Sequence, residues 1–90
     1  MHEHEEDELF AKDRLIEAIE NQLASGEPAC TQAVFNKLSL VGYERTEILE
    51  LMALVLGHEI CSLLHEERGF DVQRYEQLLR QLPELPPETP

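Results

Sequence analysis

Between residues 45 and 67 the chain places Ile48, Leu49, Leu51, Met52, Leu54, Val55, Leu56, Ile60, Leu63 and Leu64. These positions cover nearly every side of a helical wheel. A helix that is apolar nearly all round belongs at the centre of a fold, wrapped by other elements. Glu44 is placed to open it, and Glu47 adds negative charge to its first turn, where the helix macrodipole favours it. Gly69 reads as its stop. Gly57 sits inside the run, although an interior glycine costs about 1 kcal/mol relative to alanine. Close approach of a neighbouring helix accounts for such a residue.

Three further segments can supply the wrapping. Glu6, Asp7 and Glu8 charge the first turn of a helix near 6–24. Within it Leu9, Ile16, Ile19 and Leu23 recur at helical spacing, with Leu15 and Ala18 widening the stripe. Lys12 falls inside that stripe and can lay its stem on apolar surface while its amine reaches water. Ser25-Gly26 ends this helix, with Pro28 beyond. Pro28 then opens a second helix near 28–41, where Val34, Phe35, Leu38 and Val41 share a face and Gly42 is a left-handed stop. Asp71 is a good N-cap for a last helix near 72–82, lined by Val72, Tyr75, Leu78, Leu79 and Leu82 and stopped by Pro83. Strand alternation and Gly-rich phosphate loops are missing from the sequence. The expectation is an all-α, four-helix bundle-like single domain over 1–82. Residues 1–5 should fray, and the Pro-rich tail 83–90 should be extended or disordered.

Ninety residues make one domain with one small core. The net charge of −12 repels phosphate backbones and anionic membranes, which argues against nucleic acid and membrane as partners. No uninterrupted apolar run approaches 18 residues, and Met1-His2-Glu3-His4-Glu5 lacks a signal pattern. Cys30 and Cys61 form no CxxC pair and lie beside apolar residues in helical patterns, so a disulfide framework is not expected. The setting these features imply is a reducing cytoplasm.

Chemistry-bearing residues are few. His58, Cys61 and His65 fall within about one-sixth of a turn on the third helix. Cys61 and His65, four apart, can hold one metal between them, and the residue types suit zinc. His58 and His65 are roughly 10 Å apart by helix rise, too far to share an ion, and a tetrahedral site needs further ligands. The expectation is therefore no metal and no cofactor. His2 and His4, alternating with Glu3 and Glu5, read as a solvated end. Glu59 lies on the apolar side of the third helix among Ile48, Met52, Val55 and Leu63. A carboxylate there must be hydrogen-bonded or paired. Tyr43, Tyr75, Lys37 and Arg74 are the partners considered, beside an edge position open to water and a role as general acid or base. A Ser–His–Asp or Cys–His catalytic arrangement cannot be argued, which leans away from an enzyme.

The run from Pro28 to Pro83 resembles a group of uncharacterised small bacterial proteins. The resemblance rests on Thr31-x3-Phe35-x2-Leu38, Gly42-Tyr43-x-Arg45-x-Glu47, Glu59-Ile60, Phe70-Asp71-x3-Tyr75 and Leu82-Pro83. It covers about three-fifths of the chain and implies a helical fold with no established activity. Beside it stands the reading from the residues themselves, an acidic interaction or dimerisation module. Its partner is a second copy or another protein. Leu54, on the polar strip of the third helix, and Phe10, off the main stripe of the first, are the contact residues this reading singles out. The alternative is a metal-binding protein or metal-dependent enzyme using His58, Cys61 and His65, with Glu59 as acid or base.

Overall fold

A computed structural model of the chain describes residues 11–86. Among the described residues the secondary structure is four helices: α1 (Lys12–Ser25), α2 (Ala29–Leu40), α3 (Arg45–Glu66) and α4 (Val72–Arg80). The all-α, four-helix reading is the observed fold. The helix starts and stops obey local chemistry at most ends. Gly26 and Gly42 take left-handed backbone at φ 79° and 111°, where a side chain is strained. Glu44 and Glu47 form a reciprocal capping box at the head of α3. The Asp71 side chain accepts from the Arg74 N–H at 3.1 Å and caps α4.

Several local expectations are corrected. Ala11 is extended, at φ −61° and ψ 141°, so α1 begins at Lys12; the stretch from Glu6 to Phe10 lies outside the described residues. The expected bounds of α3, near 45–67, agree with the structure within one residue, but its stop is not Gly69. The helix stops at Glu66, and Glu67 itself adopts left-handed backbone at φ 55°. The Glu67 and Arg68 N–H groups both donate to the Leu63 carbonyl, which caps this helix-end acceptor without a glycine. Val41 and Val72, expected on core faces, are exposed. Each sits at a helix end, beyond the reach of the neighbouring helices. Turns carry the chain from Gln81 to Glu84 and bury Leu82, and residues 87–90 of the expected tail lie outside the described residues.

The core is built around α3. Ile48, Leu49, Met52, Ala53, Val55 and Leu56 are buried there against Leu15 and Ile19 of α1, Val34 and Leu38 of α2, and Tyr75 and Leu79 of α4. The pairing of α1 with α3 is the largest in the fold. Gly57 explains how the two come so close: a Cβ at this position would stand 3.1 Å from Leu15 Cδ1. Averaged over a window rather than counted as an unbroken run, α3 has the length and composition of a membrane span. Of that window 44% is buried inside the bundle, and a core helix meets the same measure.

One polar cluster ties three helices together. Gln22 Oε1 accepts from the Thr31 hydroxyl at 2.7 Å and from the Tyr75 hydroxyl at 3.0 Å. Tyr75 and Thr31 are fully buried, so these bonds offset the cost of taking both hydroxyls out of water. Burial pushes the Tyr75 phenol up to about 12.

Candidate functional site

Helix α3 is covered on three sides and open on the fourth. Its outward arc spans about 140° of the helical wheel. Along that arc run Glu47, Glu50, Leu51, Leu54, His58, Cys61, Leu64 and His65, each exposed or half-buried. The local cause is simple. Three partner helices cannot enclose a helix of 22 residues, and the sequence keeps apolar residues on the side they leave open. Leu54 is 54% exposed and Leu64 57% exposed.

The N-terminal half of this face contains a shallow open hollow of about 230 Å³. It is lined by Tyr43, Glu47, Glu50, Leu51 and Leu54. Four of these residues are spaced i, i+3, i+4 and i+7 on one helix. That diamond is the receptor into which a side chain of a facing helix inserts in knobs-into-holes packing. Two acidic residues rim it, and Glu50 also holds Lys12 of α1 at 3.1 Å. The C-terminal half of the face has a different chemistry: His58, Cys61, Leu64 and His65 offer imidazole N–H donors and apolar surface.

The structure places the residues singled out from sequence as follows. Leu54 lies at the middle of the open face and borders the hollow. Phe10 lies outside the described residues. His58 is half-buried, while Cys61 and His65 are exposed. Among the described residues, no group of three or more His, Cys, Asp or Glu side chains gathers where it could hold a metal ion.

Glu59 points the other way. It is fully buried, and Arg68 Nη1 donates to its Oε2 at 2.9 Å. Arg74 Nε stands 3.4 Å from Oε1, close enough for charge attraction but outside hydrogen-bond alignment. Arg74 is one of the partners the sequence points to; Arg68 is not. Tyr75 bonds Gln22 instead, and Lys37 donates to the Arg80 carbonyl. Arg68 also holds Glu66, whose carboxyl is kept below its usual range by that hydrogen bond. The pair of bonds to Glu59 and Glu66 raises the Arg68 pKa further above its ordinary value. Held this way, Glu59 fastens the loop after α3 and the head of α4 onto the central helix. Gln22 is the other polar residue that sequence reasoning missed. Its only signal was an amide on the flank of the α1 apolar stripe.

The open face offers what a docking surface needs: apolar area, a receptor hollow, and polar groups of two kinds at its two ends. No family model, no curated protein and no solved structure matches the chain.

Proposed function

We propose that the protein acts by contact, as a small acidic helical module whose docking surface is the outward face of α3. The observation that carries this reading is the exposed Leu54 and Leu64, with the half-buried Leu51 beside Leu54, on a helix whose other sides form the core. Isolated exposed leucines are ordinary, but two on one helix, one of them bordering a hollow also lined by Leu51, are apolar surface of the kind an interaction site uses. The charge of −12 supports a protein partner over nucleic acid or an anionic membrane. The two free thiols, Cys30 buried and Cys61 exposed, suit a cytoplasmic setting.

A benzophenone side chain introduced in place of Leu54 tests the reading in the producing cell. On irradiation it should give an adduct of discrete mass, and the same group in place of the exposed Glu17 on α1 should not. Absence of any discrete adduct at position 54 overturns the contact reading.

A further inference from the structure

We infer that the partner on this face is a second copy of the chain, with the two α3 helices packed antiparallel across a two-fold axis near Gly57 and His58. This rests on the reading of α3 as the docking surface and names its occupant. The argument is one of complementarity between the two halves of a single helix face. The N-terminal half carries the acceptors Glu47 and Glu50 around a hollow; the C-terminal half carries the donors His58 and His65 beside an uncovered Leu64. Such a face complements itself only when reversed.

An axis between residues 57 and 58 sets Leu54 of one copy beside Cys61 of the other. It also sets Leu51 at the level of Leu64 and Glu50 at the level of His65. Each hollow then receives the Leu64–His65 end of the opposite helix, apolar surface against Leu51 and Leu54 and an imidazole against the carboxylates. Within one chain this cannot happen, because Leu64 lies about 20 Å along the helix from the hollow. A two-fold axis repeats every such contact and closes the assembly at two copies. A parallel arrangement fails on the same residues: it stacks Glu47 on Glu47 and Glu50 on Glu50 in a chain already at −12. Antiparallel packing also sets the positive end of each helix dipole against the negative end of the other.

The test uses purified, reduced full-length protein. Sedimentation equilibrium should give twice the 10.4 kDa chain mass. Leu54→Glu should give monomer that keeps the helical circular-dichroism spectrum of wild type, since this side chain is outside the core, and its melting temperature should no longer rise with protein concentration. Geometry is read by oxidation. Leu54→Cys should form a covalent dimer with the native Cys61 of the other copy under mild oxidant, and wild type should not. In the proposed arrangement two Cys61 residues stand about 10 Å apart along the helix direction, beyond disulfide reach. Residues 54 and 61 of one chain are equally too far apart to close on each other, and Cys30 is buried. A wild-type monomer at several hundred micromolar overturns the second copy as occupant. So does rapid Cys61–Cys61 bridging in wild type, which is the parallel pattern. In-cell labelling separates the two readings. A foreign adduct at position 54 from a monomeric protein retains the docking surface and removes the second copy; no adduct removes both.

Discussion

Glu59 is the one carboxylate among the described residues with no solvent-exposed surface, and its charge is met from two directions by Arg68 and Arg74. Glu59 Oε1 and Arg68 Nη2 nevertheless make no hydrogen bond within the protein. Such a cluster is expensive to break and of modest net worth when intact. Arg68→Ala should cost about 3 kcal/mol, because it leaves a buried carboxylate with only a misaligned partner. Glu59→Gln removes the charge and keeps a hydrogen-bonding oxygen, so its cost should be smaller, about 1–3 kcal/mol. Urea melts of both variants and of the double variant check this; a double variant as costly as the two singles added together would mean the groups act independently. The inward position of Glu59 was legible in the sequence, because helical spacing alone fixes the side on which it falls. Arg68 was not legible. It reaches Glu59 only because Glu67 turns left-handed and folds the chain back, a conformation the residue type does not announce. Tyr75 gives a second residue-scale expectation. Its folded phenol titrates at about 12, against about 10 in the unfolded chain. The unfolded chain therefore loses its proton first as pH rises. The stabilisation is full below pH of about 10 and is lost as pH rises towards the folded value, by about 2–3 kcal/mol in all. Tyr75→Phe should flatten that part of the alkaline decline. If wild type and variant decline in parallel between pH 9.5 and 11.5, the phenol is not responsible.

At the scale of elements, helix ends divide into those written in residue type and those imposed by packing. Gly26, Gly42, the Glu44–Glu47 box and Asp71 belong to the first kind; the sequence reading placed each of these residues at its helix end, with Glu47 read as first-turn charge and not as half of a box. The end of α3 belongs to the second. There the natural stop, Gly69, goes unused: its φ is not left-handed and nothing lies near the position of a Cβ. Glu67 takes the strained turn two residues earlier, so that the Arg68 side chain lands beside Glu59. A non-glycine residue in this conformation costs roughly 1–2 kcal/mol. Glu67→Gly should therefore stabilise the protein, by somewhat less than that figure because glycine gains freedom in the unfolded chain. Gly69→Ala should be near neutral. Thermal melts of the two variants test the assignment, and a destabilised Glu67→Gly would mean that the Glu67 side chain does something the backbone argument omits. The open face of α3 was only partly legible for a related reason. Periodicity marked Leu54 as apolar on a polar strip, but the hollow beside it depends on Tyr43, which a turn outside the helix brings there.

For the whole molecule the dominant fact is 19 acidic against 7 basic side chains. Exposed ion pairs offset part of this. Lys12–Glu50, Arg45–Glu20 and Arg80–Glu76 all lie on the surface, where each is worth at most about 1 kcal/mol and is weakened by salt. Twelve carboxylates remain in excess, and the compact state holds them closer together than the unfolded chain does. Screening therefore relieves more repulsion than it removes attraction. Raising sodium chloride from 10 mM to 0.5 M shortens the Debye length from about 30 Å to about 4 Å. It should raise the melting temperature by several degrees; a fall would show that the surface pairs outweigh the excess charge. The same reasoning sets the sign for association. Two chains of −12 each repel at a distance, while apolar contact at Leu51, Leu54 and Leu64 is insensitive to screening. Dimerisation through that face should thus tighten with salt, by roughly tenfold for each 1.4 kcal/mol of repulsion removed. Sedimentation equilibrium at the two salt concentrations measures it. A dimer that weakens instead would be one held chiefly by the Glu50–His65 pairs, with the leucines contributing little. Leu54→Ala would then leave its affinity unchanged where the apolar account requires a loss.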